Sequence, residues 1–518
     1  MENIIELDKV NEVYFQIRNI DRSTALELRE HFSCFADNYF FHPKYRAKLW
    51  DGRISFYDWN NQTIPIGLFP QFVKFCKKFG YEYHTTFNRD EIINEISDEE
   101  FDNFYENIFK DSSFEPREFQ DDAIKKALRM KRGVIESPTA SGKSLILYSI
   151  IRFILGVFDD KKILLIVPNI NLVNQIFTDF IDYGWKESES FCALIFNKSK
   201  RIDFNKQIII STFQSLVKKD SKFLEQFGAV IVDETHTAFC KSINTILKKC
   251  INAEYRIGVT GTITESLISQ FTIYGYLGPK IFSLTSSELI DKGFLSKIKI
   301  ANLIINYPKK LIYDFWHDEE NCIKKIDYNE ELDLIFNFTE RNNIFKYIIT
   351  NIKPEDNILI LCHKIDHLKI IKKYLEENFK DYDIFEIYGK INAEDREKIR
   401  KLASIQGKTI ILGTYATLST GWNLKRLHHI IFASSTRSKI RLLQSIGRGL
   451  RLHETKNRVI IWDITDKLVF ENDWNGKIVQ HNNHTFKHFL QRLQYYKMQN
   501  FKYVNRNINI SELISYKE

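Results

Sequence analysis

Three short segments carry residue types that can do chemistry at a phosphate. The first, SPTASGKS from Ser137 to Ser144, follows the apolar run GVIE and precedes the helical run LILYSIIRFIL. That strand-to-helix context is what a phosphate-binding loop requires. The loop's backbone N–H groups, with Thr139, Ser141 and Gly142 in its turn, would cradle phosphates. Lys143 brings positive charge to the β and γ phosphates, and the Ser144 hydroxyl suits Mg²⁺. Ser137 stands where the general pattern has its first glycine, so an ordinary strand-to-helix turn is the plain alternative. The second segment, Asp233-Glu-Thr-His236, directly follows AVIV. Its carboxylates therefore emerge at the carboxyl end of a strand, the edge at which open α/β sheets bind ligands. Asp233 is placed to hold Mg²⁺ through water, and Glu234 to orient and deprotonate an attacking water. A solvated acidic turn is the alternative. The third segment, QSIGRGLR from Gln444, puts Arg448 and Arg451 three residues apart, on one helical face. Guanidinium groups suit the charge that develops on a transferring γ-phosphate. This segment lies in a region without its own phosphate loop. The expectation is that both arginines enter the other domain's site, with ATP between the domains and hydrolysis opening and closing the cleft.

The elements that must position these groups show a repeated rhythm. From Phe114 to about Tyr307, short apolar runs (GVIES, KILLIVP, QIIIST, AVIVDE, YRIGVTGT) alternate with amphipathic segments. Continuous Val/Ile/Leu runs bounded by turn residues are what strands buried on both faces of a parallel sheet need. The rhythm returns from about Asn337 to Thr465 in NILILCH, DIFEIYG, KTIILGT, HHIIFAS and RVIIWDI. The predicted organisation is a small α+β module over 1–88, an acidic linker helix over 89–112, and a first α/β domain over 113–307. A linker over 308–336, a second α/β domain over 337–466 and a C-terminal helical tail over 467–518 follow. In that tail, HTFKHFLQRLQYYKMQNFKY reads as an amphipathic helix with a cationic face.

The length of 518 residues is ample for three or four domains. With 44% hydrophobic, 27% charged and 14% aromatic residues, the composition is globular rather than disordered or fibrous. The net charge of +7 is too slight on so long a chain to identify a polyanionic partner by itself. Its distribution is more informative: the stretch from His42 to Gly80 holds seven basic residues against two acidic ones. The seven cysteines are widely spaced, without C-x-x-C pairs or metal-ligand spacing, and read as reduced, mostly buried thiols. Neither a leader pattern nor an apolar run of about 18 residues is present, so a cytoplasmic protein without membrane contact is expected.

The combination and order of these segments resemble superfamily 2 helicases of the DExH type, over nearly the whole span from Phe114 to Leu452. Arg117 and Gln120 in EPREFQ match that family's adenine-reading motif, and SPTASGKS and DETH match its motifs I and II. VTGT at Val259–Thr262 resembles motif III, GTYATLSTGW at Gly413–Trp422 resembles motif V, and QSIGRGLR resembles motif VI. VTGT replaces the commoner S/T-A-T, which leaves the stringency of coupling open. The resemblance implies two tandem RecA-like motor domains that use ATP and Mg²⁺. It adds His236 and Gln444 to the catalytic set and Gly421 to the nucleotide contacts. It also implies nucleic-acid contacts at Pro168, Asn169, Thr212, Gln214, His363, Thr414 and Thr417, mostly loop positions suited to backbone tracking without sequence readout.

FHPKYRAKLWDGRISFYD, LIDKGFLSKIKI and TRSKIRLLQSIGRGLR are similar to segments of a subgroup that begins with a small module. That likeness implies action on branched, forked or single-stranded DNA and on RNA–DNA hybrids, in recombination, replication and repair. For a phage-borne chain, the compartment would be the cytoplasm of the bacterial host. A monomer suffices in principle, since one chain holds both halves of the ATP site. In the module, Lys44, Arg46, Lys48 and Arg53 interleave with Tyr45, Trp50 and Phe56. Lys44, Arg46 and Arg53 are the expected accessory grip on phosphates, while the aromatics either stack on bases or pack as core. A double-stranded DNA translocase that does not separate strands, an RNA helicase, and a binding protein switched by ATP remain as rival readings.

Overall fold

The computed structural model describes residues 4–87, 93–110, 112–195, 203, 205–235, 241–263, 266–320, 322–418, 424–474 and 477–515. The chain divides into two units, Met1–Ser137 with Gly142–Leu284, and Thr285–Glu518 with Pro138–Ser141.

The first unit contains two sheets. A four-stranded sheet runs in the order Thr63–Pro65, Tyr14–Arg18, Ile5–Lys9, Tyr83–Thr85. Alternation along IELDK and YFQIR buries Ile5, Leu7, Phe15 and Ile17 on one face. Helix Phe69–Phe79 covers that face with Phe72, Phe75 and Cys76, the helical spacing of a buried stripe. This module is anchored to the rest of its unit by polar and aromatic contacts. The Glu12 carboxylate lies 2.6 Å from the Arg132 guanidinium, the Glu12 N–H donates to Ile251 O at 3.0 Å, and Phe56 stacks on Phe271 at 5.4 Å.

The second sheet of this unit is seven-stranded and wholly parallel. Its order is Lys280–Ser283, Arg132–Glu136, Tyr255–Thr260, Phe227–Asp233, Lys162–Val167, Ile208–Thr212, Cys192–Ile195. Its central strands are buried along almost their whole length, which is why they read as unbroken apolar runs. Helix Asp98–Phe109, closed by a capping box between Ser97 and Glu100, lies in the acidic stretch. It is tied to helix Glu118–Met130 by Arg129–Asp98 at 2.8 Å and Tyr105–Asp121 at 2.8 Å.

The second unit is another wholly parallel seven-stranded sheet. Its order is Asp383–Ile387, Thr409–Thr414, Ile358–Cys362, His429–Phe432, Arg458–Lys467, Lys297–Asn306, Tyr503–Asn509. Three boundaries differ from those read in the sequence. Lys297–Asn306, placed there in the first domain, pairs along its full length with Arg458–Lys467 in the second sheet. The expected linker over 308–336 supplies Phe315, Trp316, Ile326 and Leu332 to this unit's core. The tail forms a hairpin, Phe470–Trp474 with Lys477–His481, then helix His484–Met498, then the edge strand Tyr503–Asn509. Arg492 of that helix, which was expected to carry a cationic face, is buried. It makes paired contacts of 2.8 and 2.9 Å to Asp463. Among the described residues, no helix is long and apolar enough to cross a membrane.

Candidate active site and nucleic-acid edge

Strand register places the chemistry of the first unit. Glu136 stands opposite Thr260, and Asp233 opposite Val259, so three adjacent strands end together on the carboxyl edge of the sheet. The turn after Glu136 contains two left-handed residues, Ala140 at φ 70° and Gly142 at φ 82°. Gly142 is demanded twice, by its φ and because a Cβ there would collide with the Gln120 amide. Helix Lys143–Val157 starts on this glycine, whose carbonyl accepts the Leu145 N–H at 3.0 Å, so the positive end of the helix dipole lies at the loop. Lys143 Nζ is 3.3 Å from Ser137 O and 4.0 Å from Glu234 Oε1. The Ser137 N–H donates to Thr260 O at 2.8 Å, which ties the loop to motif III, and within the loop the Ser141 N–H donates to Pro138 O at 3.2 Å.

Arg117 and Gln120, the expected adenine-reading pair, belong to the same cluster. The Arg117 N–H donates to Gln120 Oε1 at 2.9 Å, and Gln120 Nε2 donates to Gly142 O at 3.4 Å. Asp233 is almost wholly buried, and its Oδ1 accepts the Glu234 N–H at 2.9 Å. Glu234 itself takes φ 53°, a left-handed non-glycine conformation of the kind that concentrates at functional sites. The hydroxyl of Ser144 is 2.7 Å from that of Tyr183. Tyr183 has no sequence signal, because a residue that closes one helix and meets another about forty positions away is set by tertiary packing alone. His236 and Gly421 lie outside the described residues, as does Cys240; Thr139 lies in the turn of the loop.

The residues expected to touch nucleic acid gather farther along the same edge. Pro168 and Asn169 follow strand Lys162–Val167, and Thr212 ends its neighbour with Val167 opposite it. Gln214 is exposed beyond it, whereas the Asn169 side chain caps helix Ile170–Asp182 by accepting the Leu172 N–H at 3.0 Å. The strand order thus gives phosphate chemistry to one half of the edge and nucleic-acid candidates to the other.

The second unit shows a matching edge. Cys362 stands opposite Thr414, so His363, Thr414 and Thr417 come together there, with the Thr414 and Thr417 hydroxyls 2.9 Å apart. Helix Lys439–Gly449 carries Gln444 and Arg448, both largely buried, and Arg451 follows it half-buried. The helix ends on a buried ammonium group: Lys456 Nζ donates to Gly449 O at 2.7 Å and to Leu427 O at 2.9 Å. Burial pushes Lys456 down to about 7.

In the small module, Lys44 and Arg46 are exposed, and Arg53 is half-buried over the Phe35 ring. Trp50 and Phe56 are half-buried and engaged, Trp50 Nε1 donating to Arg53 O at 2.8 Å. The most exposed aromatics of the module are instead Phe40 and Phe41, which the sequence pattern did not single out, with Phe35, Trp59, Phe79 and Tyr83 also exposed.

A glycine-turn phosphate loop, a strand-end Asp-Glu pair and a second parallel sheet carrying an arginine helix define the class, a tandem RecA-like motor of helicase superfamily 2. Residues 113–265 match the family described as type III restriction enzyme, res subunit. Residues 9–86 match that described as DNA helicase UvsW, N-terminal, and residues 340–453 the helicase conserved C-terminal domain. The chain is 31% identical over 502 residues to the ATP-dependent DNA helicase uvsW of Enterobacteria phage T4, covering 95% of this chain and 97% of that protein. The solved structure of T4 UvsW matches with a TM-score of 0.50 and 29% identity, over 98% of this chain and 100% of that one. The type ISP restriction-modification enzyme LlaBIII, solved bound to DNA, shares the fold at 15% identity and a TM-score of 0.55, over 76% of this chain and 31% of that one. The chain belongs to the UvsW helicase family.

Proposed function

We propose that this chain is an ATP-dependent DNA helicase that acts on branched substrates: four-way junctions, forks, displacement loops and RNA–DNA hybrids. The observation that carries the reading is the shared edge of the first sheet. There a phosphate loop, an Asp-Glu pair and nucleic-acid candidates follow one another on adjacent strands, in a chain whose T4 relative is named an ATP-dependent DNA helicase.

In this reading, Arg117 and Gln120 hold the adenine and the loop from Ser137 to Ser144 holds the phosphates. Lys143 neutralises the γ-phosphate. Glu234 takes a proton from the attacking water, assisted by His236 and Gln444, and Gly421 adds a nucleotide contact. Ser144 and Asp233 are hard oxygen donors, the set that fits Mg²⁺ when phosphate oxygens complete its shell. That ion, when bound, supplies charge neutralisation at the β and γ phosphates. Arg448 and Arg451 stabilise the charge that develops during transfer. Thr212, Gln214, His363, Thr414 and Thr417, with Pro168 and Asn169, track the DNA backbone, while Lys44, Arg46 and Arg53 grip phosphates beside the branch point. One chain supplies every group named, so a monomer suffices.

The test compares ATP turnover stimulated by single-stranded DNA, branched DNA and RNA, together with strand release from a fork and a four-way junction. Stimulation by DNA with strand release is expected. Stimulation by RNA alone would overturn the reading. Displacement of a third strand from a triplex without fork opening would instead make the chain a double-stranded DNA translocase. Replacing Lys44, Arg46 and Arg53 by Glu is expected to weaken junction affinity at least tenfold, with a shallower dependence on salt.

A further inference from the structure

One feature of the small module serves neither ATP chemistry nor the module's own core. Between the antiparallel strands Ser33–Phe35 and Arg53–Ser55, the chain makes an excursion that stands out from the sheet. Its scaffold is an aromatic stack, part of it exposed at Phe35. Tyr39 lies on Phe35 at 4.6 Å with nearly parallel rings and meets Tyr45 edge-on at 4.8 Å. Gly52, at φ 79°, closes the excursion at a point where a Cβ would strike the Tyr39 ring. Its root is fastened to the motor: Ser266 Oγ donates to Asp37 at 2.9 Å, and Phe56 stacks on Phe271, both on or beside helix Leu267–Leu277.

What this scaffold presents outward is apolar. Phe40, Phe41 and Leu49 are 50%, 62% and 79% exposed, and Phe40 and Phe41 touch each other at 4.4 Å between centroids. Large apolar side chains held on a rigid support and left in water mark an interaction surface. The surrounding charge identifies the partner. Lys44, Arg46, Lys48 and Arg53 flank the tip, whereas the segment's two acids, both exposed, are engaged locally, Asp37 by the Ser266 hydroxyl and Asp51 by the Arg53 N–H at 3.0 Å, and Glu30 lies 3.7 Å from the Arg53 guanidinium. Aromatic faces ringed by cations suit nucleobases beside phosphates.

We propose that Phe40, Phe41 and Leu49 form the strand-separating wedge, stacking on the last base pair of a DNA branch while Lys44, Arg46 and Lys48 hold the diverging phosphates. The wedge rests on the branched-DNA helicase reading. Because its root is fixed to the helix at Leu267–Leu277, translocation drives the tip against the duplex end.

The experiment uses the full chain, wild type and F40A/F41A/L49A, on a fork carrying 2-aminopurine at the branch point, with single-stranded DNA as control. The triple variant is expected to release strands at least tenfold more slowly while hydrolysing ATP on single-stranded DNA at the wild-type rate. The 2-aminopurine response seen with wild type should be lost. A second variant, Phe41→Trp, is expected to keep unwinding, and the indole emission it adds over wild type to be quenched by the fork more than by single-stranded DNA. Equal strand release by wild type and triple variant, with no fork-specific quenching of that added emission, would overturn the wedge and mark the tip as a protein-docking surface. If wild type itself releases no strands, the branched-DNA reading fails rather than the wedge.

Discussion

The two seven-stranded sheets obey the same packing rules but differ in the turns at their carboxyl edges. In the first sheet those turns contain Ala140, Gly142 and Glu234, all with positive φ. In the second, among the described residues, none of the strand-to-helix turns at that edge has one; strand Ile358–Cys362 passes through His363 into a helix capped by Lys364 at φ −110°. Carboxylates differ in the same sense. Asp233 and Glu234 stand at the strand end, whereas Asp463 and Asp466 are buried and held by Arg492 and Arg341 at 2.7–2.9 Å. A shared sheet architecture therefore carries the candidate chemistry where its edge turns are left-handed, and guanidinium–carboxylate pairs where its edge is packed.

The largest expected effect breaks that contrast at its sharpest point. Lys143→Ala is expected to lower steady-state ATP turnover by roughly a thousandfold or more, whereas Lys364→Ala at the matching turn of the second sheet changes it less than about threefold. Comparable losses at both positions would erase the distinction. Next, Arg448→Ala should reduce turnover by about a thousandfold with nucleotide affinity little changed. A variant that turns over normally would restrict the second sheet to a scaffold. Glu234→Gln should cost about a hundredfold in turnover while binding persists, read by single-turnover hydrolysis against fluorescent-nucleotide titration.

The structural side of the comparison predicts stability rather than rate. Arg492→Met leaves Asp463 as a buried, uncompensated carboxylate and should destabilise the second unit by about 3–5 kcal/mol. Replacing both partners by apolar residues should recover most of that loss in denaturant unfolding. The smallest expected effect is on pH dependence. Burial, partly opposed by the Asp356 carboxylate, pushes His428 down to about 4. In the fold its Nδ1 accepts the Asn357 N–H at 2.9 Å. The folded unit therefore keeps this imidazole neutral while the unfolded chain protonates near 6.5. Stability from this group is full above pH 6.5 and falls as pH drops toward 4, by on the order of 3 kcal/mol. A slope unchanged in His428→Asn, measured by thermal unfolding over that window, would assign the effect elsewhere.

The parts of the candidate nucleotide site are legible in the sequence because they are local. A glycine in a left-handed turn, a lysine one residue later and a strand-terminal Asp-Glu pair are each written within a few adjacent residues. Sheet membership was less legible. Lys297–Asn306 lies in the range read as the first domain and Tyr503–Asn509 in a tail read as helical, but which sheet a strand joins depends on partners more than 150 residues away. Burial at Arg492 depends on the same long-range pairing: the helix reads as having a cationic face, yet the position of Arg492 over Asp463 makes it a core residue.

The sequence by itself determined which residues are candidates for binding phosphate, how many parallel sheets the chain builds and which strand ends carry charge, since these follow from short-range steric and hydrophobic patterning. Only the tertiary structure decided that Tyr183 meets Ser144, that Phe40 and Phe41 rather than Trp50 and Phe56 face the solvent, and that the tail completes the second sheet. Those outcomes depend on which surfaces meet across long separations in the chain, and hydrophobic periodicity states that a face must be covered without stating by what.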